Sequence, residues 1–170
     1  MSRFTFKKSA TNPQPILTIK DGVYAAVVVQ AAHIGLQRPF ERDKEPEEQM
    51  AIAFELASGE LITKRFKFSN HPSSGCFALF TSAFPDLDDS DDQELGLAEL
   101  LGKSVLIEVE VHDSKWPRVT AIMPLEQGFE PIETKTELLE FDADKMGREI
   151  YSKLHRDIRN WISKRIRHSL

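Results

Sequence analysis

The sequence predicts a mainly β domain: five short strands closing a Greek-key barrel, a helical insertion after the third strand, and a C-terminal α-helix. Three observations predict it. Apolar, β-branched runs of strand length recur between turn residues. The hydrophobic period changes from two to three or four residues between the third and fourth of these runs. After Asp144 one long apolar stripe appears at helical spacing. The chain has 170 residues, 41% of them hydrophobic, which is material for one core and an appendage.

Met1 to Pro15 mix Lys7-Lys8, polar residues and two prolines with little periodicity, and read as a mobile arm. Ile16–Ile19 reads as a strand, and Lys20-Asp21-Gly22 as a turn. Val23 to Gln30 follows, apolar at nearly every position, as expected of a central strand buried on both faces. Gly35 is expected to break it, and Arg38 to Glu48 forms a charged loop with Pro39 and Pro46. Met50–Leu56 and Leu61–Phe68 flank the hairpin turn Ala57-Ser58-Gly59-Glu60. In the second of these strands Ile62, Phe66 and Phe68 alternate with Thr63, Arg65 and Lys67, so one face is apolar and the other basic.

Ser73-Ser74 can cap a helix carrying Phe77, Leu79, Phe80 and Phe84, which Pro85 ends. An acidic loop, Asp86 to Glu94, leads to a short helical turn, Leu95–Leu101, stopped by Gly102. Ser104–His112 and Trp116–Met123 are the last two strands, joined through Asp113-Ser114-Lys115. Three strands, a helical insertion and two more strands are what a barrel of the OB type requires. Three segments follow: an arm (1–15), the barrel (16–125), and a linker with a basic amphipathic helix (126–170) whose stripe holds Met146, Ile150, Leu154, Ile158, Trp161 or Ile162, and Ile166.

The net charge of −5 conceals a segregation. Residues 145–170 hold eight Lys and Arg against Glu149 and Asp157, a net +6 that leaves −11 on the rest. Six carboxylates crowd the nine residues Asp86 to Glu94. Their alternation resembles a calcium loop, but the Gly and Glu that an EF-hand needs at its sixth and twelfth places are Asp91 and Leu97 here, so a solvated loop is expected.

Enzyme chemistry finds no motif: there is no Gly-rich phosphate loop, His-Glu-x-x-His or Gly-x-Ser-x-Gly. Histidines 33, 71, 112, 155 and 168 stand singly without ligand spacing, so neither a metal nor a cofactor is expected. Cys76, the sole cysteine, opens an apolar helical pattern and reads as a buried thiol rather than a nucleophile. No apolar run could span a bilayer and no leader begins the chain, which points to a cytoplasmic protein.

The β-surface carries a different signal. Single-strand binders combine cations for phosphates with aromatic faces for bases. Lys64, Arg65 and Lys67 supply cations on the third strand, the loop after the first contains Arg38, Phe40 and Arg42, and the last hairpin contains Lys115, Trp116 and Arg118. These nine residues form the expected DNA-facing surface.

Several blocks together resemble a family: Asp21-Gly22-Val23-Tyr24, Ile34-Gly35-Leu36-Gln37, Phe54-Glu55-Leu56 with Gly59-Glu60, Lys64 to Ser69, Ser73-Ser74-Gly75, Leu97 to Lys103, and Val119–Pro124. Over residues 16–128 the chain is similar to phage-encoded OB-fold single-stranded DNA-binding proteins. The resemblance implies sequence-tolerant binding of single strands, no enzyme activity, and partners in phage replication or recombination inside a bacterial cell. Such proteins often end in an acidic tail that docks partners. This chain ends in a basic helix instead, whose apolar stripe is expected to dock either on the barrel or on a second subunit in a homo-oligomer, the second being favoured. A different class also fits the −11 charge: an adaptor or inhibitor whose acidic loop contacts a basic host protein.

Overall fold

A computed structural model of the protein describes residues 19–39, 44–87, 94–113, 116–145 and 147–166. Its spine is β1 (Gly22–Gln37), a strand with three partners. Along its length it pairs antiparallel with β2 (Glu47–Leu56), from Ala26↔Leu56 to Gln37↔Glu47. On its other edge the first half pairs with β4 (Ser104–His112), from Gly22↔Val109 to Val27↔Ser104. The second half of that edge pairs in parallel with β6 (Leu139–Asp142), from Gln30↔Leu139 to His33↔Asp142. The expected break at Gly35 is instead a register shift between His33 and Gly35, with Gly35 at φ +82°. That backbone conformation suits glycine, and it bends the strand without ending it. The expected strand at 16–19 lies outside the described residues except for Ile19, which is buried but not in a strand.

β3 (Leu61–Lys67) pairs with β2, and β5 (Trp116–Met123) with β4, giving the order β3-β2-β1-β4-β5 with β6 beside β1. The fold is therefore mainly β, as expected, but the sheet is not closed. No backbone ladder joins the edge strands β3 and β5. Between them packs α1 (Gly75–Ala83), which also touches β4. Ser74 caps this helix by accepting from Phe77 N–H at 3.1 Å, satisfying one of its first-turn donors. Cys76 is free and buried, and burial pushes its thiol pKa up, which disfavours the thiolate.

The centre of the sheet, in β1 and β2, is buried on both faces. One face, with Val28, Ile52, Phe54, Ile62, Phe66 and Ile107, closes over Leu79 of α1 and Leu100. The other, with Val27, Val29, Ala32, Ile34, Ala51 and Ala53, is covered by the C-terminal segment. The single long helix expected there is two short ones: α2 (Arg148–Lys153) and α3 (Arg156–Ser163). Buried Gln30 of β1 supplies the reason, because its Oε1 accepts the His155 N–H at 2.8 Å and takes that donor out of any continuous helix. Leu154, at the break, drops into the core.

The apolar stripe splits accordingly. Leu154, Ile158 and Ile162 are fully packed against the chain's own sheet, while Ile150 stays exposed. Burial of each is worth about 1.5–3 kcal/mol, so these side chains hold the segment to the sheet. Of the two surfaces on which this stripe is expected to dock, the chain's own sheet takes Leu154, Ile158 and Ile162. Upstream, the linker is tied to the sheet through Glu55, whose carboxylate accepts from Thr134 Oγ1 at 2.9 Å. Burial pushes the Glu55 pKa up, but bonds from Thr136, Thr134 and Lys135 outweigh it and hold the group below the usual carboxylate value.

Candidate functional site

The period of a β-strand decides what becomes of the basic third strand. Side chains alternate faces, so Lys64 falls with Ile62 and Phe66, and Arg65 with Thr63 and Lys67. The three cations therefore do not share a surface. Lys64 lies over the Phe66 ring and carries its ammonium to the open seam, where Nζ donates to the Val119 carbonyl of β5 at 2.9 Å. Burial, and then the neighbouring Arg118 guanidinium, lower the Lys64 pKa.

On the opposite face Thr63 Oγ1 donates to Asp157 of α3 at 2.8 Å, and the Arg65 guanidinium stacks 5.2 Å from the centre of the Trp161 ring. Burial lowers the Arg65 pKa as well. Lys67 is ion-paired with Glu47 at 3.2 Å. Of the third-strand cations, only Lys64 is thus brought to the hairpin residues.

That hairpin presents the most exposed large apolar side chain described. Trp116 stands opposite His112 at the start of β5, 65% exposed. Arg118, exposed and two residues along, shares its face. The fold joins the two sequence signals at one place: Trp116 and Arg118 of β5 beside Lys64 of β3. Among the described residues neither Lys64 nor Arg118 makes an ion pair, although Glu110 stands opposite Arg118 in the ladder. Arg38 is exposed just past the end of β1. Phe40, Arg42 and Lys115 lie outside the described residues.

Two groupings lie outside the nine expected residues, the first of them hidden in the sequence. His33 of β1 is bracketed by carboxylates: Nε2 meets Glu48 Oε2 at 2.6 Å, Nδ1 meets Asp142 Oδ1 at 3.1 Å, and Asp144 lies 3.7 Å from Nδ1. Burial pushes the His33 pKa down, but the bonds to Asp142 and Glu48 outweigh it and raise it above the ordinary value. His33, Asp142 and Asp144 offer ligand atoms within 4.8 Å of one another, a spacing a divalent cation could use. An imidazolium bonded at both nitrogens satisfies the same groups with no metal.

The second grouping is the outward face of α3. Arg156, Asn160, Ser163 and Lys164 are exposed, with Arg159 partly so, at helical spacing that places them together. Its cations Arg156, Arg159 and Lys164 are legible in the sequence as the face opposite the apolar stripe, free to meet phosphate; the sheet face that the helix covers is not.

A cleft of about 740 Å³ lies between α1 and the chain after β3, lined by Phe68, Cys76, Phe77, Phe80, Thr81 and Leu97 among others. Its walls are mainly aromatic and aliphatic, with Ser69, Asn70 and Thr81 as polar members and no charged group among the described residues. No helix among the described residues is long and apolar enough to cross a membrane. Compared with known proteins, the chain matches no protein-family model and no curated protein.

Proposed function

We propose that the protein binds single-stranded DNA without sequence preference and without catalysis, serving phage DNA replication or recombination in the cytoplasm of a bacterial cell. Its core is an OB-type barrel whose β3–β5 seam is bridged by a side chain. The strand order, the helix after β3 and the approach of β3 to β5 support that assignment. In OB-folds the loop between the fourth and fifth strands borders the oligonucleotide, and Trp116 occupies that loop's edge here.

One observation carries the reading: Lys64, bonded to Val119 of β5, feels the like charge of Arg118, which stands two residues along β5 from a 65% exposed Trp116. Bringing cations together costs free energy that an anion between them recovers. A phosphate there would leave the following base within reach of the indole face, and base stacking on an aromatic tolerates any sequence. The negative total charge is compatible with this, because phosphates meet local potential and not net charge.

Fluorescence anisotropy of a labelled oligo(dT) at graded salt tests the proposal. Binding should weaken steeply as salt rises, since neutralised phosphates release counterions. No binding at low salt would remove the proposal and favour the adaptor reading, in which the acidic loop meets a basic protein.

A further inference from the structure

The sheet face on which OB-folds hold oligonucleotides is that of the second and third strands. Here the C-terminal segment seals it. Ala51 and Ala53 of β2 are buried under Ile158 and Ile162, and β3 gives Thr63 to Asp157 and Arg65 to Trp161. A strand of DNA cannot reach that face without opening a core.

We infer that α3 takes over the role of the covered face, and that its outward row of Arg156, Arg159 and Lys164 is a surface for the phosphates of single-stranded nucleic acid. This rests on the single-strand reading and names where the backbone runs.

The geometry of α3 supplies the argument. Ile158 and Ile162 point into the sheet, so residues 156, 159, 160, 163 and 164 fall on the outer side. The groove between α2 and α3, about 460 Å³, is lined by Arg156, Arg159, Asn160 and Ser163 together with Tyr151 and Asp157. It therefore offers two guanidinium groups and an amide, donor types that phosphate oxygens accept from, while the Ser163 hydroxyl donates to the Asn160 carbonyl at 2.6 Å. Its one acid is engaged internally, with Thr63 Oγ1 at 2.8 Å and His155 Nδ1 at 3.7 Å. Among the described residues Arg156, Arg159 and Lys164 make no ion pair, and of the Arg159 guanidinium the Nε is buried without a partner.

Charge complementarity selects the occupant, because the +6 of residues 145–170 is concentrated on a protein whose remainder is −11.

The test is a full-length variant, R156Q/R159Q/K164Q, titrated against fluorescein-labelled oligo(dT) at several salt concentrations beside the wild type and Arg118→Gln. The triple variant should bind at least about tenfold more weakly at 0.1 M salt. Its log–log salt slope should be shallower by about 2, the loss expected for three single-strand phosphate contacts. Wild-type affinity and slope in the triple variant, with Arg118→Gln weakened, would overturn this inference and leave the single-strand reading standing. No binding by the wild type would overturn both. Arg156→Gln alone, at an exposed side chain with no hydrogen bond or ion pair among the described residues, keeps the test valid if the triple variant folds poorly: it should shift affinity and slope in the same direction.

Discussion

The ammonium of Lys64 donates to the backbone carbonyl of Val119 at 2.9 Å, across the one edge-to-edge approach of the sheet that has no backbone ladder. A single charged side chain does there what a run of amides does elsewhere. The bond also anchors the cation whose charge meets that of Arg118, so the β3–β5 contact and the proposed binding surface share one residue.

Lys64→Met keeps the aliphatic stem over Phe66 and removes the donor. A hydrogen bond from a charged group contributes about 1.5–3 kcal/mol, and the half-buried setting puts the expected loss near 1–2 kcal/mol. Urea denaturation measures it. An unchanged midpoint would show that packing around α1 alone holds β3 beside β5.

His33 sets a pH dependence. Its folded pKa lies above the ordinary 6.5, so the stability it contributes is complete below pH 6.5 and is lost as pH rises through the raised value. Asp142 is the reverse case: its pKa lies below the ordinary 3.8, so its contribution holds above that and disappears as pH falls through the lowered value. Between these limits His33 and Asp142 are both charged. His33→Gln should cost about 1 kcal/mol at pH 5.5, the low side for a charge-assisted bond with a half-exposed partner, and less at pH 8. Thermal melts at the two pH values measure this. An equal loss at both would mean that the imidazole acts by shape alone.

Ile158 has no exposed surface and sits between α3 and the β1–β2 face. Ile158→Ala should cost about 2–5 kcal/mol, the range for an aliphatic truncation in a core that cannot fully collapse. Guanidinium unfolding followed by circular dichroism gives the value. A loss near zero would mean that the C-terminal segment decorates the sheet and is not part of its core.

The strands were legible because a sheet buried on both faces demands β-branched, apolar runs, and Val23–Gln30 and Met50–Leu56 are such runs. What escaped reading was decided by distant residues. Gly35 looks in sequence like a stop, and only its place in a ladder with β2 makes it a bulge. The break at Leu154–His155 depends on Gln30, which is 125 residues away from His155. The His33 clasp likewise joins residues 109 apart.

Part of the site was legible and part was not. Trp116 and Arg118 could be marked from the hairpin, because turn residues announce an exposed tip. Lys64 could not be separated from Arg65 and Lys67 by charge alone. Its long stem lets it lie along the core side and still bring its head to the open edge. The cations of α3 look in sequence like the ordinary polar side of an amphipathic helix. They matter because of which sheet face that helix covers.

The most direct test of the central claim uses the two tryptophans. Trp161→Phe leaves Trp116 as the only indole, 65% exposed, reporting on the hairpin. Adding oligo(dT) to this variant, with anisotropy recording occupancy in parallel, should quench the Trp116 emission in step with binding. Replacing Trp116 by Ala in the wild type should weaken binding by about 1–3 kcal/mol, the range for one lost stacked base, at an unchanged melting temperature. Occupancy that rises with no change in Trp116 emission, together with full affinity in Trp116→Ala, would contradict the account.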